Sequence, residues 1–459
     1  ANLKDLTIKE QAMIYETLEY NNLEKYFDEI QSITSIKWGE FDHVYVVTFK
    51  DGTVRQIGTY NKTGIYNKDD NLDYIQWDYY NASFPIDDMN KMTGLLGITS
   101  RNIDYVIKNG DTITIKLIDG ASFELRNKDY SIIDAYDSDG NSIVEDIGMF
   151  TDEADKYGLY GGNQHSISNN SYIYVDDPNI KEIIKNYFPD EELSEDELKC
   201  LFNRMTYVGC PYVGMSNVIF QMTEDLSDEE FKEKFGFDRY RVVKTSDGSY
   251  VKTYNYDYMF LDFFLSYQRD YEDFESIKDI IGTVTTDENG CLIVSEEDGA
   301  EGTFSFKVKD HFKNYAKEKG IEYKSSSTPF GSNYINICND DDSIGTILDA
   351  FLEFYNPFND VYIREKIKSE LNKGNSVLVD MSDFTMYSPE DLDGNGKLDD
   401  VVREDVGGHL MQVVGISDDG GYIVSSWGNK YIVYPKSYSF YHDLLNDDET
   451  LGSITVFEY

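Results

Sequence analysis

Three Asp-Gly dipeptides before residue 150 constrain the fold of this chain more than any other feature. Asp-Gly adopts the left-handed backbone that a type I′ turn needs, and the twist of that turn matches the twist of paired strands. "HVYVVTFKDGTVRQIGTY" and "DTITIKLIDGASFELRN" place the dipeptide between runs rich in β-branched and aromatic residues, so hairpins are predicted at 51–52 and 119–120. "IIDAYDSDGNSIVE" predicts a weaker third turn at 139–140. Ahead of them, Leu3, Leu6, Ile8, Met13, Ile14 and Leu18 follow a helical period, and a helix is expected over 3–31. Residues 1–155 therefore read as a helix followed by a β-rich accessory module, and the Gly-, Ser- and Asn-rich stretch 156–172 as a linker.

The pattern changes in residues 173–459, read as one further domain. "DPNIKEIIKNYF" and "SEDELKCLFNRM" are helical, and Ser194 with Glu197 has the spacing of a capping box. A fourth Asp-Gly hairpin, "YRVVKTSDGSYVKTYNY", falls inside this domain, and "KDHFKNYAKEKG" adds a helix. Near the end, "DVYIREKIKSELNKGNSVLVDMS" reads as helix, stop and strand, and "HLMQVVGI", "GYIVSSWG" and "KYIVYP" as consecutive strands. Mixed helices and antiparallel strands give an α+β class.

Charge narrows the partners. The chain holds 86 acidic against 41 basic residues, a formal charge of -45, which repels phosphate backbones and anionic headgroups. Nucleic acid is excluded as a partner on that ground. No apolar stretch approaches the roughly 20 residues that span a bilayer, so no membrane insertion is expected. Four cysteines, Cys200, Cys210, Cys291 and Cys338, form no CxxC pair, which suggests neither a disulfide framework nor structural zinc.

Chemistry is concentrated at "TYVGCPYVGMSNVIFQ". Proline suits the first helical position, where its missing N–H costs nothing, and this puts Cys210 at the N-cap of a helix running to about Met222. A thiol there feels the positive end of the helix dipole, which favours the nucleophilic thiolate. Its own backbone N–H points to where an oxyanion would form. With five histidines in the chain, few can act as its base. His409 opens a strand in "GGHLMQVVGISDDGGYIVSSWGNKYIVYP", where alternation places His409, Met411 and Val413 on one face.

The order of a helix-opening Cys, a strand His before an apolar-Val-Gly run, and a returning strand ending Ser-Trp-Gly resembles the papain-like cysteine peptidases, especially their bacterial C39-like branch. The resemblance covers about 180–459 and implies a helix packed on an antiparallel sheet. It implies Cys210 as nucleophile, His409 as base, and Ser425, sixteen residues later, in place of the family's orienting Asn or Asp. Trp427 and Gly428 would support and shield that contact. The family's oxyanion Gln, six residues before the Cys, is Arg204 here, and the adjacent Asn203 is the better donor by chemistry.

"DLDGNGKLDD", residues 391–400, sets Asp391, Asp393, Asn395 and Asp399 at the first, third, fifth and ninth places of an EF-hand-like loop, with Gly396 at the sharp turn and Lys397 at the carbonyl position. The bidentate Glu of the twelfth place is Val402, which likens the loop to shorter calcium loops of extracellular modules and leaves Glu404 or Asp400 to complete the shell. The expected function is a calcium-stabilised thiol hydrolase that cleaves peptide or protein substrates outside a bacterial cell, with no organic cofactor. Two other readings stay open: an inactive extracellular binding or adhesion module, and a toxin of the same fold doing deamidation or acyl transfer. The sequence does not specify an oligomeric state.

Overall fold

The computed structural model describes residues 24–38, 41–50, 54–59, 72–77, 94–98, 103–117, 119–303, 305–329, 359–398, 400–437 and 450–459, together with 5, 8, 11, 15 and 92. It divides into two units, one of 1–146 with 241–252, the other of 147–240 with 253–459.

The first unit is built from hairpins. Strands β1 (Ile30–Trp38), β2 (Phe41–Phe49), β3 (Val54–Thr59) and β4 (Leu72–Trp77) form one antiparallel sheet. β5 (Ile103–Asn109), β6 (Thr112–Leu117), β7 (Ser122–Arg126) and β8 (Ile132–Tyr136) form a second. Pairing of β2 with β3 and of β6 with β7 agrees with the expected hairpins. Asp51 and Gly52 lie outside the described residues, whereas Gly120 has φ +95° and the Asp119 carboxylate accepts from the Ala121 amide at 2.9 Å. β9 (Val144–Asp146) completes a small sheet with the hairpin β10 (Tyr240–Lys244) and β11 (Tyr250–Tyr254). That fourth Asp-Gly hairpin thus belongs to the first unit, not to the domain in which its sequence lies, because Tyr250 and Val242 pack with Ile113, Phe123 and Leu125. The helix expected over 3–31 falls largely outside the described residues, and its end is corrected: a 3-10 turn at Glu24–Glu29 leads into β1 at Ile30.

The second unit packs helices on both faces of a mostly antiparallel sheet, an α+β arrangement. Its helices are α1 (Asp152–Lys156), α2 (Ser166–Asn169), α3 (Ser171–Tyr174), α4 (Pro178–Tyr187), α5 (Glu195–Val208), α6 (Cys210–Met222), α7 (Asp228–Phe235), α8 (Tyr256–Asp270), α9 (Ile277–Ile281), α10 (Ser305–Lys319) and α11 (Asn359–Asn372). α5 starts with the expected capping box, Ser194 and Glu197 each accepting the other's backbone N–H. After a short hairpin, β12 (Val284–Thr286) and β13 (Leu292–Val294), come β14 (Lys324–Pro329), β15 (Ser376–Ser382), β16 (Phe384–Tyr387), β17 (Val401–Val406), β18 (His409–Ile416), β19 (Tyr422–Ser426), β20 (Asn429–Val433), β21 (Lys436–Ser437) and β22 (Thr450–Glu458). The large sheet has the order β14-β22-β15-β18-β19-β20-β16-β17, with β21 parallel to β22.

Period-two alternation divides the central strands between two cores. Leu378 of β15 and Leu410 of β18 join the aromatic-rich cluster of the helices, while Val377, Val379, Met411 and Val413 join a second cluster on the opposite face with Ile363 and Ile367 of α11. Both faces are covered, which is why these strands are apolar almost throughout. Among the described residues no helix is long and apolar enough to cross a membrane.

Candidate functional site

Cys210 is the first residue of α6, not its cap. Gly209 holds the cap position at φ -76°, ψ -18°, and Pro211 is the second residue. α5 therefore runs into α6 across a single residue, and its carbonyl end opposes the amide end on which Cys210 sits. That juxtaposition offsets much of the dipole effect expected for an isolated helix start. Glycine is required at the joint, since a Cβ at 209 would lie 2.6 Å from Phe260 Cζ and 3.0 Å from Gln164 Cβ.

α6 packs on β18, which brings the thiol to the start of the histidine strand. Burial pushes the Cys210 thiol up to about 12; the Leu410 amide and its own amide favour thiolate, and buried Asp380 disfavours it. Asp380 is itself held above the usual carboxylate range by burial, against hydrogen bonds from Ser305 and Ser453.

His409 begins β18, opposite Met381 of β15. Its Nε2 lies 2.8 Å from Ser426 Oγ. Its ring stacks on Trp427 at 4.8 Å between centroids and 23° between planes. Burial, then Arg403 and His165, lower His409 to about 4. At neutral pH the resting pair is thus thiol and imidazole, both uncharged.

Cys210, His409, Ser425, Ser426 and Trp427 line one cavity of about 20 Å³, together with Gln164 and Gln412. Such a space holds roughly one water. The buried Gln412 Oε1 and Trp427 Nε1 have no hydrogen-bond partner among the described residues. Trp427 is one of few non-glycine residues with positive φ, +47°, and is followed by Gly428 at +77°. This strained turn fixes the indole over the imidazole.

The imidazole partner is Ser426 rather than Ser425. Ser425 Oγ instead donates to the Tyr160 carbonyl at 2.6 Å. Asn203 is not brought to the cavity: its Nδ2 donates to Leu292 O at 3.3 Å. Arg204, 1% exposed, donates to the carbonyls of Ile281, Ser295, Asp298 and Ala300 and so folds the 281–300 segment onto α5.

Among the side-chain amides that do line the cavity, with Asn217 and Gln412, is Gln164, forty-six residues before Cys210. Its Nε2 donates to Thr206 O at 2.9 Å, while Thr206 Oγ1 donates to its carbonyl at 3.0 Å. Gln164 lies in the stretch expected to be a linker, which is instead a strap packed within the second unit, with Tyr160, Gly161, Gly162 and Ile167 buried. Tyr160 N donates to Gly428 O at 2.8 Å, and Gly162 N donates to Asn217 Oδ1 of α6 at 2.9 Å. Gly161 fits where a Cβ would come within 2.8 Å of Asn217 Nδ2.

In the acidic loop, Asp391, Asp393 and Asp400 bring carboxylate oxygens within 4.8 Å of one another. Asp391 accepts from the amides of Asn395 and Gly396, which hold it below the usual carboxylate range. Asn395 Nδ2 turns to Asp393, and Asn395 Oδ1 accepts from the Lys397 amide at 2.8 Å. Asp399 lies outside the described residues. Asp400 stands with the first two aspartates, accepting from the Asp393 amide at 3.0 Å.

The fold is α+β and the site a cysteine and a histidine lining one small cavity. No protein-family model, curated protein or solved structure matches the chain.

Proposed function

We propose that the second unit is a papain-like thiol hydrolase of the C39-like kind, cleaving peptide bonds through Cys210 and His409. The observation that carries the reading is the convergence of a helix-opening thiol and a strand histidine, nearly 200 residues apart, in one cavity where Ser426 and Trp427 fix the ring. With Nε2 held by Ser426, it is Nδ1 that takes the thiol proton as sulfur attacks the scissile carbonyl carbon. The oxyanion is met by the Cys210 amide and by the second Nε2 hydrogen of Gln164, whose first is given to Thr206. His409 then hands its proton to the departing amine, leaving a thioester. Water adds to the thioester, giving its proton to His409, and sulfur leaves as thiolate and regains the proton.

Because both groups rest uncharged, the base must work during attack rather than beforehand. The same nucleophile would serve deamidation or acyl transfer, since the acyl acceptor is not fixed by fold.

The loop at Asp391, Asp393 and Asp400 is proposed as a calcium site, with Asn395 and the Lys397 carbonyl as further oxygens, and a calcium-rich extracellular setting follows from it. A second reading, a binding module without turnover, is favoured by the small cavity and the raised thiol.

Peptide-library digestion with wild type, Cys210→Ala and His409→Ala tests the choice. Cleavage abolished by either change, with Cys210 labelled selectively by a peptidyl epoxide over Cys200 and Cys291, supports the hydrolase. Cleavage that survives both changes overturns it, and absence of both cleavage and labelling leaves the binding module.

A further inference from the structure

Arg403 is exposed on β17, in a chain with about twice as many acidic as basic residues. Other cations near the site have found carboxylates: Lys430 Nζ lies 2.7 Å from Asp152 Oδ1. Arg403 has no ion pair or hydrogen bond among the described residues. Its guanidinium carbon sits 4.6 Å from the centroid of the Trp427 ring, whose indole stacks on His409.

A guanidinium carried over an aromatic ring rather than against a carboxylate keeps its fork of N–H donors available for two-point recognition of a carboxylate. The strained Trp427 backbone and the stack on His409 hold this platform still. A second imidazole stands close by, with the His165 ring 6.5 Å from Trp427. Burial and then Arg403 lower His165, as Arg403 also lowers His409, and no carboxylate is among the groups acting on either ring.

We propose that Arg403 is the specificity-determining residue of the site and binds a substrate carboxylate next to the bond presented to Cys210. The inference rests on the cavity being a substrate site. The carboxylate has two sources, an Asp or Glu side chain within a peptide or the terminal carboxylate of its chain.

Binding to full-length Cys210→Ala, measured by fluorescence anisotropy, separates these. The probes are a labelled octapeptide pool with Glu fixed at one position, its Gln counterpart, and a neutral pool as free acid and as amide. Glu over Gln, or free acid over amide, should bind at least roughly tenfold more tightly, the value of a charge-assisted hydrogen bond. Adding Arg403→Gln should erase the difference, while Arg403→Lys should retain part of it. Whichever pair shows the preference identifies the source. Equal or undetectable binding of all four pools, or a preference that persists in Arg403→Gln, overturns the proposal. Failure of the hydrolase reading is distinct: the preference remains in Cys210→Ala while the wild type neither cleaves the pools nor labels at Cys210.

Discussion

Gly214, one turn after Cys210, faces Leu410, the residue after His409: a Cβ at 214 would lie 2.7 Å from Leu410 Cδ2 and 3.3 Å from Leu378 Cδ2. The approach of helix to strand, and hence of thiol to imidazole, is set by a missing methyl group. Gly214→Ala should cost about 1–3 kcal/mol through overpacking. In a unit of this size that lowers Tm by several degrees. Combining it with Leu410→Ala should recover part of the loss, since the two side chains compete for one space. Additive losses in a double-mutant cycle of thermal melts would show that the contact does not set the spacing.

Ser425 and Ser426 should separate cleanly. Ser426→Ala removes the partner of His409 Nε2 and should lower the turnover rate with little change in Tm. Ser425→Ala leaves the buried Tyr160 carbonyl without its donor and should cost about 1–3 kcal/mol of stability. Melting curves and rates on both variants decide it, and an interchange of the two effects would return the orienting role to Ser425.

Alkylation of Cys210 should report its neutral resting state. With the thiol pushed up to about 12, the rate with iodoacetamide should climb roughly tenfold per pH unit between about 6 and 9. An ion pair formed at rest would give a rate already level in that range. For His409, lowered to about 4 from an ordinary value of 6.5, the unfolded chain binds the proton first as pH falls. Stability should therefore decrease from about pH 6.5 down to about 4 and then stop changing on this account. His311, buried and lowered to about 4, acts in the same window. His409→Gln should flatten the slope of Tm against pH but not abolish it.

Calcium at millimolar concentration should raise Tm, and a chelator should reverse the change. Binding to the native state alone contributes about 2.7 kcal/mol at a hundredfold excess over Kd. Sites of extracellular type bind at about 0.1–1 mM. Asp391→Ala with Asp400→Ala should remove the response, and magnesium should replace calcium poorly. β17 begins at Val401 and carries Arg403 to Trp427, so calcium should also change the Cys210 labelling rate. A Tm indifferent to calcium in the wild type would reduce the loop to an acidic turn.

Features written in neighbouring residues were legible. The hairpins at 48–54 and 116–122, the capping box of α5, and the alternation of β18 each follow from short-range chemistry that tertiary packing reinforces. What failed was decided at a distance or by one residue of register. Successive strand residues face opposite ways, so a spacing correct to within one position chose Ser425 when the imidazole meets Ser426. Gln164 was hidden by its setting, since Gly, Ser and Asn around it read as a linker. Only the partners of those residues, Gly428 and Asn217, reveal a strap. The structural part of Arg204 was hidden because nothing near it in sequence shows that the carbonyls of 281–300 gather around it.

The return of residues 241–252 to the first unit bears on how the protein can be taken apart. A single cut after Asp146 yields no clean halves: the piece beginning at Ile147 keeps β10 and β11 but loses β9 and the apolar partners of Tyr250. It would carry an unpaired strand edge and an exposed tyrosine face into solution, the recipe for self-association. A well-behaved second unit calls for two excisions, the first at 146 and the other replacing 241–252 with a short link. The same topology means that a recombination event with one crossover cannot exchange the accessory unit as a cassette.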